Sequence, residues 1–199
     1  MEARLTFLRA TDFEAKDDLS FGDGAMSERG RQDAAAVAVL PPYTRTLRTP
    51  STRCAQTAEA LGVQCDPEAA LRDIDCGTWS GRTFREVAAR EPYGLSAWLT
   101  DPDATPHGGE SVAQLCRRTA AWLDALPDDG GHVLVITEKS VVRASLVHVL
   151  SAPARAFWHL DGPPLVPVTL TRRDGQWTAR FDHPRLQPRR QQLPDLLAA

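Results

Sequence analysis

The chain has 199 residues, 42% hydrophobic and 25% charged, with a formal net charge of −3: long enough for one ordinary domain with a full core, and without the basic excess that binds nucleic acid. Cys54, Cys65, Cys76 and Cys116 stand singly, without Cys-x-x-Cys spacing, so neither a zinc site nor a disulfide framework is expected and they read as small buried apolar residues. Met1 to Leu5 leads into a short strand, not an apolar signal core, and no stretch approaches 18 apolar residues. A cytoplasmic location without membrane contact is the expectation.

Arg4 to Leu8 is an apolar run that predicts a buried strand delivering Arg9 at its carboxyl end, where sites form in α/β sheets. Residues 12 to 25, rich in Asp, Gly and Ser, predict a loop. Ser27 and Glu28 open a helix through Leu40, ended by Pro41 and Pro42. Thr44 to Thr49 is a β-branched strand candidate. Ser51 or Thr52 then caps a helix that runs through Leu61 and stops at Gly62. Between 82 and 106, Phe84, Val87 and Ala88 mark one short helix and Leu95, Trp98 and Leu99 another.

From Glu110, apolar positions Val112, Leu115, Cys116, Trp122, Leu123 and Leu126 follow helical spacing. Val133 to Ile136 is continuously apolar, as a central parallel strand covered on both faces requires. Glu138 ends it, and a helix from Ser140 to Leu150 follows. Residues 164 to 181 alternate around Asp174-Gly175, a hairpin signature. The tail 183–199, rich in Pro, Arg and Gln, is expected to be mobile. Residues 1–182 read as a single domain with a small insertion at about 82–106.

Several blocks carry more than periodicity. They are Phe7-Leu8-Arg9-Ala10-Thr11, Met26 to Ala34, Thr49 to Ala58 around Arg53, Leu71-Arg72-Asp73-Ile74-Asp75-Cys76-Gly77-Thr78-Trp79-Ser80-Gly81, Pro106-His107-Gly108-Gly109-Glu110-Ser111, and Val135 to Arg143. In order and spacing they resemble the histidine phosphatase superfamily, the phosphoglycerate mutase-like proteins, over roughly residues 4 to 160. The resemblance implies a three-layer α/β/α sandwich with a mainly parallel central sheet and a cap made by the insertion. Arg9 and Arg53 take the places of that family's anion-binding arginines, and Asp73 that of its proton-donating glutamate on a shorter arm.

Against that pattern, Ala10 stands where the family's nucleophilic histidine is expected and Glu138 where its second histidine is expected. Thr11, Lys139 and Ser140 replace small residues that let a substrate oxygen approach the backbone. An alanine attacks nothing, and Arg9, Arg53, Asp73 and Glu138 together carry no net charge when both acids are ionised. Like charges about 4 Å apart at an effective dielectric near 20 repel by about 4 kcal/mol, so a phosphate dianion is expected to bind poorly.

Two readings remain open. In the first, the pocket is reassigned: Arg9 and Arg53 bind a small anion or carboxylate metabolite by paired charge-assisted hydrogen bonds, with His107 approaching from its loop. Asp73 and Glu138, one protonated and one ionised, then perform acid/base chemistry as a lyase, isomerase, cyclase or hydrolase. In the second, the chain is a pseudoenzyme that binds a metabolite or protein partner, and Glu138 forms an internal salt bridge with Arg9 and Arg53. Weak residual phosphomonoesterase activity ranks last. A homodimer stays open, and no metal or cofactor is indicated.

Overall fold

The computed structural model describes residues 2–12, 20–37, 40–128 and 131–181. Six strands form one sheet: β1 (Glu2–Arg9), β2 (Arg45–Arg48), β3 (Asp66–Pro67), β4 (His132–Thr137), β5 (Pro167–Arg173) and β6 (Gln176–Phe181), in the order β3-β2-β4-β1-β5-β6. The pairs β3–β2, β2–β4 and β4–β1 are parallel, while β5 runs antiparallel to β1 and to β6. The sheet is therefore mostly parallel, with an antiparallel hairpin at one edge. Its turn, Asp174-Gly175, has positive φ at both residues, as the right-handed twist of a two-residue hairpin demands.

Among the described residues six α-helices surround the sheet: α1 (Glu28–Ala35), α2 (Thr52–Ala60), α3 (Phe84–Arg90), α4 (Pro92–Thr100), α5 (Val112–Asp124) and α6 (Lys139–Val149). Alternation along the strands sorts the layers. Leu5 and Phe7 of β1, Val135 of β4, and Val168 and Leu170 of β5 join Leu123 of α5 and Val142 and Leu146 of α6 in one core cluster. Leu8, Leu134 and Ile136, whose side chains point to the other face, pack with Cys54 and Ala58 of α2. Each fully buried apolar side chain of this kind contributes roughly 1.5–3 kcal/mol. The result is the three-layer α/β/α sandwich.

The helix starts follow their capping chemistry. Ser27, Ser51, Thr83 and Ser111 accept from the backbone N–H three residues on, and Thr83–Glu86 and Ser111–Gln114 are complete capping boxes. One boundary differs from expectation: α1 ends at Ala35 instead of reaching Leu40, closed by the Ala36 N–H on the Gln32 carbonyl and the Val37 N–H on the Ala34 carbonyl. Pro41 and Pro42 thus follow a helix that has already ended. The strand β3 and the 3₁₀ turns Ala69–Leu71, Gly77–Trp79 and Ala154–His159 carry no periodic signal and were not expected. Of the expected loop 12–25, residues 13–19 lie outside the described residues, as does the tail 183–199. No helix among the described residues is long and apolar enough to cross a membrane.

Candidate functional site

In-register parallel pairing brings three strand ends together. Arg9 is opposite Thr137 and Arg48 opposite Ile136, so Arg9-Ala10, Thr49 to Arg53 and Thr137-Glu138 emerge side by side at the carboxyl edge. The junction is tied by Ala10 N–H to the Thr137 carbonyl (2.8 Å) and Thr49 N–H to the Ile136 carbonyl (2.9 Å). The Thr49 hydroxyl donates to the Leu71 carbonyl and accepts from the Thr137 hydroxyl, both at 2.7 Å. A cavity of about 190 Å³ opens above these ends. Its walls include Arg9, Ala10, Thr11, Asp12, Phe21, Arg53, Asp73, Cys76, Trp98, Glu138, Lys139, Ser140, Arg143 and Phe157.

Glu138 is the N-cap residue of α6, yet its side chain makes no capping bond. It turns to α2. Arg53 donates from Nε (3.2 Å) and Nη2 to Oε2, while the Ser51 hydroxyl (2.7 Å) and the Cys54 thiol (3.4 Å) donate to Oε1. Burial and the Glu138 charge push the Cys54 thiol well above its ordinary range, keeping it a donor. Burial alone would lower the Arg53 pKa; the Glu138 carboxylate more than offsets it, and the net shift is upward. With donors on both oxygens, Glu138 is an acceptor in an ion pair.

Arg9 is not part of that pair. Its guanidinium bonds to the Asp12 carboxylate and to the Gly162 carbonyl (3.0 Å), so the expected salt bridge of Glu138 with both arginines forms with Arg53 alone. Asp73 reaches the cavity from the segment after β3. Its Oδ1 accepts from the Ser140 hydroxyl and from the Ile74 N–H (2.8 Å). Burial first, then the Glu138 charge, push its carboxyl up to about 6.

The loop bearing Asp73 is fixed by the Gly-Gly-Glu-Ser block. Glu110 receives both arms of Arg118 (2.9 and 2.7 Å), and Arg118 in turn donates to the carbonyls of Ala70 (2.7 Å) and Arg72 (3.1 Å). A Cβ at Gly109 would stand 2.1 Å from the Asp75 carbonyl oxygen, which explains the glycine there.

His107 is not brought to the cavity. It is buried against Trp79 (ring centroids 5.0 Å apart) and Trp98 (6.5 Å), and its Nδ1 accepts from Gly109 N–H at 3.0 Å. The Gly109 N–H bond holds it within its own loop, and it is not among the residues that line the cavity. Trp98 does line the cavity, whereas Trp79 is fully buried behind it.

Sequence reasoning set Lys139 beside the substrate position but missed Arg143 as a wall residue. Both lie on α6, four positions apart and therefore on one helix face, a spacing that was open to reading. Lys139 pairs with Asp161 at 2.8 Å. Arg143 donates from Nε to the Leu160 carbonyl (2.8 Å) and lies 5.4 Å from the Phe157 ring centroid. With them, four cationic side chains face Asp12, Asp73 and Glu138 across the cavity, so its charge is more positive than Arg9, Arg53, Asp73 and Glu138 alone imply. Among the described residues no cluster of three or more His, Cys, Asp or Glu side chains is placed to hold a metal.

A mostly parallel α/β/α sheet with an arginine-lined cleft at its strand ends defines the class to which the resemblance pointed. The model of the histidine phosphatase superfamily (branch 1) matches residues 16–181, and the chain belongs to that superfamily. It is 34% identical over 135 residues to a bifunctional protein of Mycobacterium tuberculosis, covering 66% of this chain and 36% of that protein. The chain spans about a third of the length of the first curated relatives it matches. Among solved structures, a putative α-ribazole-5′-P phosphatase from Escherichia coli superposes with TM-score 0.78 at 20% identity, over 90% of this chain and 95% of that one. A histidine-to-alanine mutant of phosphoserine phosphatase from Entamoeba histolytica, in complex with phosphoserine, superposes with TM-score 0.78 at 19% identity, over 92% and 98%.

Proposed function

We propose that this member of the histidine phosphatase superfamily binds a small anionic metabolite in its cavity without phosphohistidine chemistry. The observation that carries the reading is the buried Glu138–Arg53 pair. The arginine that the resemblance assigns to phosphate is already bound to an internal carboxylate, at the strand ends where Ala10 offers no nucleophile. Arg9, Lys139 and Arg143 keep the cavity attractive to anions. Loss of a histidine is compatible with ligand binding in this fold, since the Entamoeba histolytica mutant holds phosphoserine.

Acid/base chemistry is the second reading, and one feature favours it: Asp73, with its carboxyl pushed up to about 6, changes protonation close to neutral pH. Glu138, held by donors on both oxygens, serves in that scheme as a fixed charge and not as a proton carrier.

The test is a thermal-shift screen of the wild type and Arg9→Ala against inorganic phosphate, sulfate, phosphorylated sugars and small carboxylates, with p-nitrophenyl phosphate turnover measured in parallel. A ligand at 100 times its Kd adds about 2.7 kcal/mol. Stabilisation that Arg9→Ala loses, with no phosphate release, supports binding without phosphoryl transfer; release of p-nitrophenol by the wild type overturns it. Chemical change of a stabilising metabolite, lost in Asp73→Asn, would select the second reading.

A further inference from the structure

The cations around the cavity are not equivalent. Arg9 bonds to Asp12, Arg53 to Glu138, and Lys139 to Asp161. Arg143 has no carboxylate within 4 Å among the described residues; Asp161 acts on it only at longer range. Its Nε is fixed by the Leu160 carbonyl, which aims the rest of the guanidinium without neutralising it. Burial, and then the neighbouring Arg9 charge, push the Arg143 pKa down despite Asp161; both guanidiniums line the same cavity, where an anion would offset that cost.

The surroundings of Arg143 are aromatic. Phe157 lies beneath its guanidinium, and Phe21 and Trp98 complete the wall. Trp98 packs edge-on against Phe21 (5.8 Å) and Trp158 (6.0 Å). Its indole N–H is buried with no acceptor among the described residues. The cavity volume of about 190 Å³ leaves room for a single ring and its acid group.

We infer that the ligand is an aromatic monocarboxylate, its carboxylate held by Arg143 with Arg9 and its ring laid against Trp98 and Phe157. The inference rests on the anion-binding reading above and adds the chemical class. One unpaired cation matches one negative charge. A phosphate dianion would bring a second charge toward Asp73 and Glu138, which no unpaired cation among the described residues balances. A guanidinium seated on an aromatic ring suits a planar carboxylate, because it offers two parallel donors while its face stays stacked.

The experiment is calorimetric titration of the full chain with benzoate, acetate, phenyl phosphate and inorganic phosphate. Benzoate should bind at least tenfold more tightly than the other three, and Arg143→Gln should weaken it at least tenfold while Arg53 and Glu138 stay in place. Phenyl phosphate or inorganic phosphate binding as tightly as benzoate would overturn the carboxylate assignment and leave the anion pocket standing. Binding of none of the four overturns the assignment, and failure of the wider thermal-shift screen as well would remove the pocket reading too. If Arg143→Gln does not fold, the wild type still decides: benzoate must shift the indole N–H resonance of Trp98, assigned by its loss in Trp98→Phe, and an unmoved resonance sinks the proposal.

Discussion

Glu138 and Arg53 form an ion pair from which water is almost wholly excluded, their side chains retaining 5% and 8% of their exposure. One closes a strand and the other lies in the first turn of α2, 85 positions away. Taking two charges from water is expensive, and only good geometry with extra donors repays it; Ser51 and Cys54 supply those donors. Glu138→Ala should therefore lower the unfolding free energy by about 3–5 kcal/mol, because it leaves Arg53 charged and buried. The double variant Arg53→Met/Glu138→Leu should recover most of that loss. Urea denaturation of both decides it, and a single variant as stable as the wild type would show that Arg53 reaches water.

Asp73 gives a pH dependence with an unusual sign. Its carboxyl moves from the ordinary 3.8 to about 6 in the folded protein, so between those values the folded state holds more protons than the unfolded one. Stability from this group is then full at low pH, falls as pH rises from about 4 to about 6, and is flat above. A shift of about two units corresponds to at most about 3 kcal/mol. Asp73→Asn should be more stable than the wild type at pH 8 and lose that advantage by pH 4. Equal denaturation midpoints at pH 8 would mean that the Ser140 hydroxyl and Ile74 N–H compensate the burial completely.

Much of this site was legible. Arg9, Arg53, Asp73 and Glu138 each follow a recognisable block, and the fold converges all four on one cavity. Which carboxylate each arginine takes was not legible, since Asp12 is three residues from Arg9 while Glu138 is 85 from Arg53, and sequence does not rank such competitors. His107 looked like a wall residue because its neighbours Gly108 and Gly109 belong to a motif; the edge-on contact with Trp79 that holds it depends on tertiary packing. The two-residue strand β3 is too short to show periodicity.

Restoring the expected nucleophile alone should fail. Ala10 is buried on the cavity wall, and a histidine there would meet a site in which Arg53 is still bound to Glu138. Ala10→His should give no p-nitrophenyl phosphate turnover above background, whereas Ala10→His combined with Glu138→His frees Arg53 and removes the opposing carboxylate. Measurable release by the single variant would refute the view that the Glu138–Arg53 pair blocks phosphate.

The segment carrying Asp73 is clasped from behind, and glycine makes the clasp possible. Glu110 N–H donates to the Asp75 carbonyl at 2.8 Å, and Thr78 N–H to the His107 carbonyl at 2.9 Å. The backbones of Gly77 and Gly109 thereby lie too close for side chains: a Cβ on either would sit 2.1 Å from a carbonyl oxygen, and Gly77 also has φ +46°. Gly109→Ala should force the two segments apart, at about 1–3 kcal/mol or more in stability. Because Arg118 ties the same loop through Ala70 and Arg72, Arg118→Ala should act in the same direction. In both variants Asp73 separates from Ser140 and Glu138, so its carboxyl should titrate nearer 4 by NMR. A carboxyl still titrating near 6 in a destabilised Gly109→Ala would show that burial by α6 alone sets its acidity.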